Sequence, residues 1–336
     1  MKRIRFAAAK TVRNDTRKNL KIYLLLLSVL LLLSGCKKTA IDASENAPSA
    51  ESTAAEESRT IPAPQDSLPA VSAAPKEEKN ASLMIPEGAT LQTRILPPEG
   101  FSRIPAEPGS FGDFVRNYPL LADGSPVLLY DGTEKSNQSA KAAVFDMDVI
   151  SSADLQQCAD SVMRIYAEYF RQTDQPERIR FHFVDGFLFD YPTYRDGGRI
   201  KMKNDKASWK YTAGYDDSDE TFENYLYLLF AYSSTLSMDE ESQPIEPSEI
   251  QIGDLFLKGG SPGHVMMVAD VCEDENGHKA FLLAQGYMPA QQFHIVKNPS
   301  SEENPWYDAE QITYPFRTPE YTFPEGSLKR PGYLEF

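Results

Sequence analysis

Three side chains stand out by type and neighbourhood: Cys158 in SSADLQQCADSVMRIYAEYFRQ, His264 in GGSPGHVMMVADV and Gln285 in KAFLLAQGY. A thiol near a helix N-terminus has its thiolate favoured by unpaired backbone N–H groups and the helix dipole. It becomes a nucleophile when a histidine beside it takes the proton. Cysteine is also a common small apolar core residue. Cys158 therefore has two readings, and the elements that carry the three residues decide between them.

The histidine and the glutamine share one stretch, GDLFLKGGSPGHVMMVADVCEDENGHKAFLLAQ at 253–285. A Gly-Asp turn leads into a short apolar strand and a Gly-Gly-Ser-Pro-Gly loop, and His264 then heads a second strand. Asn276-Gly277 is a strong hairpin signal that predicts a third strand over 279–285. His264 and Gln285 are thus placed near neighbouring strand ends. The Gly259, Gly260 and Gly263 loop lacks the lysine and following helix of a phosphate cradle and reads as a tight connection.

Cys158 lies in a helical pattern. Ser152 is a candidate N-cap, and Leu155, Cys158, Val162, Ile165, Tyr166 and Tyr169 recur along one stripe. The thiol then sits about two turns in, where the dipole has faded; a helix starting near Gln156 restores it.

Further elements follow from the same patterns. Ser110 caps a short helix, 126–130 and 142–149 read as strands, and IRFHFV and FLFDY read as two more. The charged stretch around Trp209 predicts another strand, and 219–236 a helix whose acidic start at 216–220 is solvated. The tail beyond Pro299 shows little periodicity and is expected to wrap the core irregularly.

The 336 residues carry a formal charge of −15. Eight Lys or Arg and one Asp precede Cys36, leaving 26 basic and 48 acidic residues, a net of −22, for the rest. This balance argues against a nucleic-acid partner, and is expected to keep the processed chain off anionic surfaces except through an anchor. Behind the basic start, 22–33 is an apolar run too short to span a bilayer comfortably. It ends in Leu-Ser-Gly-Cys, which resembles the bacterial lipobox and implies lipidation of Cys36, cleavage before it and residence in the bacterial envelope. The expected organisation is a leader at 1–36, a disordered acidic Ala/Ser/Pro tether at 37–86 and one globular domain at 87–336.

The order Gln157-Cys158 with Val162 one turn on, Gly253-Asp254, Gly263-His264 followed by VMMVADV, and then Gln285 resembles the papain-like NlpC-type cell-wall peptidases and CHAP amidases. The resemblance implies an α+β fold, an antiparallel sheet packed on a cysteine-bearing helix, with the region 181–236 inserted. It also implies the roles: Cys158 attacks an amide carbonyl, His264 shuttles the proton, and Gln285 orients the imidazole. A backbone N–H at the helix start, with the Gln157 side chain, holds the oxyanion. The amide would belong to peptidoglycan or a peptide, with no cofactor. More closely, LQQCAD, GDLFLKGGSPGHV and LAQGYMPAQQFHIVKNP resemble a family of uncharacterised bacterial lipoproteins, a domain of unknown function with no assigned activity.

Other assignments stay open. Cys158 and Cys272 form a disulfide only if Cys158 is not beside His264, since Cys272 lies roughly 26 Å along the strand. His182, His264, His278 and His294 lack the close spacing of metal ligands, so no metal is expected. A catalytically silent papain-like domain binding glycan or peptide would use Tyr287, Met288, Pro289, Trp306 and Tyr307 as contacts.

Overall fold

The computed structural model describes residues 82–150 and 153–334. The apolar run, Cys36, the expected tether up to residue 81 and Ser152 lie outside the described residues. The chain enters through α1 (Leu91–Arg94), β1 (Ser102–Arg103) and α2 (Phe111–Arg116). The Ser110 hydroxyl accepts from the Asp113 N–H, the expected cap. β2 (Lys141–Val144) and α3 (Cys158–Gln172) follow. Next come the hairpin of β3 (Arg180–His182) and β4 (Leu188–Asp190), α4 (Tyr191–Arg195), and the hairpin of β5 (Gly198–Lys203) and β6 (Lys206–Tyr211). Helices α5 (Asp219–Tyr232) and α6 (Thr235–Glu240) lead to β7 (Ser242–Pro244), β8 (Leu255–Lys258), β9 (His264–Glu273), β10 (Lys279–Gln285) and β11 (His294–Val296). The tail supplies β12 (Tyr307–Asp308), β13 (Phe316–Arg317), β14 (Thr322–Phe323) and β15 (Leu328–Pro331).

The main sheet runs β2-β11-β10-β9-β8-β15-β7, with β1 on β9 and β12 on β10, and its pairs are antiparallel. The fold is therefore mixed α/β with a mainly antiparallel sheet and six helices among the described residues. Strand alternation separates two cores. Leu255, Leu257, Val265, Met267, Leu282 and Ala284 face the helices, where Val162, Ile165 and Tyr166 of α3 meet them. Phe256, Met266, Val268, Phe281 and Leu283 face the tail hairpin. There Phe256 stacks on Phe316 at 4.3 Å between ring centroids. Full burial of one such side chain contributes about 1.5–3 kcal/mol.

Gly253 explains the Gly-Asp turn. Its φ is +98°, and a Cβ there would stand 2.6 Å from the Tyr166 hydroxyl, so only glycine lets the turn close onto α3. Tyr166 donates to the Gly253 carbonyl at 2.8 Å. Asp254 pairs with Arg330 at 2.7 Å and so ties β8 to the tail. At the far end of β9, buried Asp270 is held by Arg103 at 2.6 Å and Arg116 at 2.7 Å. A carboxylate this deep is tolerable only with such partners.

Several expectations need correction. The α3 helix starts at Cys158, not after Ser152, because residues 154–157 make turns that end in a Gln157 cap. Residues 126–130 form only the isolated bridges Leu128–Glu134 and Leu129–Gln291, and the next strand stops at Val144. The helix expected over 219–236 breaks at Ser233 and Ser234, the latter capping α6. The tail is not wholly irregular, since β15 lies inside the main sheet between β8 and β7. Trp306 and Tyr307 are core residues, 2% and 4% exposed, and so cannot serve as open contact surfaces.

Candidate active site

Cys158 is the first residue of α3, where backbone N–H groups are unpaired within the helix. Asp160 at the third position accepts from the Gln157 N–H at 2.9 Å and closes the first turn. The helix start abuts the end of β10. A Cβ on Gly286 would fall 2.5 Å from the Ser161 hydroxyl and 2.6 Å from the Gln157 carbonyl, so the approach requires glycine. The N–H of Val265, the residue after His264, interacts with the Cys158 sulfur, as do those of Ala159 and Cys158 itself. The helix start bearing the cysteine and the head of β9 bearing the histidine therefore meet.

His264 and Gln285 stand at adjacent strand ends, with His264 Nε2 and Gln285 Oε1 2.8 Å apart. His264 is 3% exposed and Gln285 fully buried. The ring of His264 lies 4.8 Å from both Tyr287 and Tyr321 between centroids and 5.9 Å from Phe323. Gln285 donates through Nε2 to Glu320 Oε2 at 2.7 Å. A carboxylate can only accept, so this bond fixes the amide, sets Oε1 against His264 and makes His264 Nε2 the donor. Nδ1 is then the basic nitrogen.

Glu320 was not singled out in the sequence. It sits between β13 and β14, and its only signal is a carboxylate between two aromatic strands in a tail without period. The same carboxylate bonds the buried Lys135 ammonium and accepts from Asn137 at 3.1 Å. Lys135 Nζ lies 3.4 Å from His294 Nε2, and the Gln292 carbonyl accepts from His294 Nδ1 at 3.0 Å. His294 pairs across from Gln285 in the sheet. A continuous polar chain thus runs from His264 through Gln285, Glu320 and Lys135 to His294. It lies under the tail hairpin and on the sheet face opposite most of α3.

Burial dominates the charge states. The Cys158 thiol is pushed up to about 11 by desolvation and by the nearby Asp160 carboxylate, against the three backbone N–H groups. Asp160 is itself raised to about 8 by burial. His264 is lowered to about 4 by desolvation and by Lys135, against its bond to Gln285. His294 falls to about 3, through burial first and Lys135 second. At neutral pH the resting site therefore holds a neutral thiol and a neutral imidazole.

The remaining candidates separate. Gln157 Nε2 donates to Asp154 at 3.0 Å, so that hydrogen is committed away from a developing oxyanion. Cys158 and Cys272 are both free thiols. His182 pairs with Glu241 at 2.7 Å, and His278 sits between Asp274 and Glu310 at 3.1 and 3.3 Å. Among the described residues no three His, Cys, Asp or Glu side chains gather as a metal site. A surface cavity of about 810 Å³ near Met84, Leu96 and Asn304 is lined by none of the site residues.

No curated protein and no solved structure matches the chain. A family model does match, over residues 91–330, a span that holds every residue of the site described above. The chain belongs to the family described as domain of unknown function 4846.

Proposed function

We propose that this protein is an envelope-anchored cysteine hydrolase of papain-like type, an amidase or endopeptidase acting on an amide of peptidoglycan or a peptide. The observation that carries the reading is convergence. Cys158 at a helix start, His264 at a strand head and Gln285 at a strand end come from segments a hundred residues apart. His264 and Gln285 share the 2.8 Å imidazole–amide bond that a thiol–imidazole mechanism needs, and Val265, the residue after His264, lies against the Cys158 sulfur, which supports the reading.

The steps follow from the resting charges. As the Cys158 sulfur bonds to the carbonyl carbon, its proton passes to His264 Nδ1 and the carbonyl oxygen gathers charge near the Cys158 N–H. The C–N bond breaks and the proton leaves with the amine. Water then attacks the thioester, giving its proton to His264 and releasing the carboxylic acid, and the thiol is restored. Because thiol and imidazole begin neutral, proton transfer accompanies attack rather than preceding it. Anchoring through a lipidated Cys36 would keep the domain at the envelope surface.

A second reading is favoured by one observation: the thiol is raised and the imidazole nearly sealed, as in a domain that binds glycan or peptide without cleaving it. Iodoacetamide labelling of folded protein separates the two. The hydrolase reading expects Cys158 to label at neutral pH, slower after His264→Ala, and Cys158→Ala to abolish hydrolysis of peptidoglycan fragments. Absence of labelling at Cys158, with fragment binding retained in Cys158→Ala, would establish the binding domain instead.

A further inference from the structure

The tail hairpin brings more than Glu320 to the site. β13 and β14 pair Phe316 with Phe323 and Arg317 with Thr322, so residues 318–321 form the turn at their tip. The turn is closed by its own bonds. The Thr318 N–H and hydroxyl both donate to the Tyr321 carbonyl at 2.9 Å, and the Tyr321 N–H donates back to that hydroxyl at 3.2 Å. With its backbone fixed in this way, Tyr321 leans its ring on His264 and on Phe323, each at 4.8 Å between centroids.

Two phenols flank the thiol. Tyr287 follows Gly286, which packs against the Gln157 carbonyl at the start of α3, and its ring also lies 4.8 Å from that of His264. Burial and then a Cys158 thiolate raise the Tyr321 phenol; burial, Glu320 and the same thiolate raise that of Tyr287. Both therefore stand in the field of the sulfur. Their hydroxyls differ in what they do. Tyr287 donates to the Glu320 carbonyl at 3.1 Å. The Tyr321 hydroxyl has no hydrogen-bond partner among the described residues, whereas those of the buried Tyr118, Tyr166, Tyr225 and Tyr333 each have one. A phenol can donate as well as accept, and this half-buried one is uncommitted.

The chemistry has a use for such a donor. Attack on a carbonyl leaves its oxygen negative, and one fixed donor at that oxygen is worth about 100- to 1,000-fold in rate. The N–H groups of Val265, Ala159 and Cys158 are engaged with the sulfur, and the Gln157 amide gives a hydrogen to Asp154. We propose that the Tyr321 hydroxyl is a catalytic donor to the substrate's carbonyl oxygen as Cys158 attacks. The inference rests on the hydrolase reading and adds a residue to it. The phenol donates without losing its proton, since it is raised above its ordinary value near 10. One hairpin tip then carries two consecutive residues with two tasks: Glu320 orients the imidazole through Gln285, and Tyr321 meets the oxyanion.

The test compares two reagents on the full chain, wild type and Tyr321→Phe, with modification of Cys158 read by mass spectrometry. p-Nitrophenyl acetate acetylates the thiol: the S–C bond forms, the carbonyl oxygen carries the charge, the thiol proton passes to His264 and p-nitrophenolate leaves. Methyl methanethiosulfonate transfers its methylthio group to the same sulfur and releases methanesulfinate, with no charge on a carbonyl. Tyr321→Phe should slow acetylation about tenfold or more and leave methylthiolation unchanged. The variant keeps the ring on His264 and loses only a hydroxyl that bonds nothing in the fold, so its urea midpoint should match wild type. Acetylation at the wild-type rate, or an equal slowing with both reagents, would overturn the proposal and leave the hydrolase reading standing. A wild-type Cys158 that takes neither reagent would overturn that reading, and the proposal with it.

Discussion

Glu320 supplies the most discriminating test of the site, because it acts on His264 only through Gln285. In the native arrangement Gln285 donates to Glu320 Oε2 at 2.7 Å and accepts from His264 Nε2 at 2.8 Å. Reversing the Gln285 amide would set its oxygen against the carboxylate. It would forfeit a hydrogen bond to a charged group, worth about 1.5–3 kcal/mol, a preference of roughly 10- to 150-fold. The other neighbour is His294 Nε2 at 3.4 Å, too long to fix the amide alone. Glu320→Ala should therefore reduce the preference to a few-fold and leave His264 a mixture of tautomers. Glu320→Gln should retain most of it: its amide oxygen can take the place of Oε2 between Lys135 and Gln285 while Asn137 reverses to accept. Removing the carboxylate also strands a buried ammonium, which costs about 3–5 kcal/mol. The paired change Lys135→Met with Glu320→Leu keeps the fold testable without a lone charge. Two-bond proton–nitrogen correlation of the His264 ring at neutral pH reads the tautomer directly. Wild type and Glu320→Gln should show Nε2–H, and Glu320→Ala and the paired variant a mixture. A clean Nε2–H signature in all four would refute the argument that Glu320 sets the imidazole.

Alkylation of Cys158 by iodoacetamide should keep rising with pH toward about 11, and Asp160→Asn, which removes the adjacent carboxylate, should move the midpoint down; a plateau below pH 8 in wild type would contradict the buried thiol. Gly286→Ala should cost about 1–3 kcal/mol in urea unfolding and slow Cys158 labelling, because the added Cβ meets Ser161 and the Gln157 carbonyl. An unchanged midpoint would mean that the helix start and the strand end do not touch as described. His264 and His294 are lowered in the fold to about 4 and about 3, so their contribution is complete above the unfolded value near 6.5 and is lost as pH falls through the folded values. Each should contribute a slope of about 1.4 kcal/mol per pH unit in that window, and His294→Gln should remove one of the two; an unaltered slope in that variant would show His294 to be protonated alike in both states. Asp160, raised to about 8, has the opposite sign: its stabilisation is full below the usual carboxylate value and lost as pH rises through 8.

The parts of the site that announce themselves in the sequence are those set by local rules. The Asn276-Gly277 turn fixed the pairing of β9 and β10, and that pairing sets His264 and Gln285 at adjacent ends. The glycine of the Gly-Asp turn followed from its chemistry, with φ at +98°. The start of α3 was less legible, since Ser152 is as good a cap by type as Gln157; tertiary contacts, with Arg164 holding Gln156 at 2.8 Å, select the later start. Lys135 and Glu320 were invisible for a different reason. They lie in segments with no period, and a buried ion pair between residues 185 apart leaves no pattern in either.

Those two unread residues determine how the three legible ones can behave. Burial first, and Lys135 after it, lower both imidazoles, which makes a protonated His264 costly. Glu320, bonded to Lys135 and to Gln285, places a negative charge on the side of the amide away from His264. It polarises the Gln285 carbonyl toward the imidazole, which is the service a carboxylate performs directly in an acid–histidine pair. Gln285 thus need not be read as a weaker substitute for a charged third residue. It is the neutral link through which a carboxylate one residue further out reaches the imidazole, and the tail hairpin that carries Glu320 is as much a part of the site as the strand that carries His264.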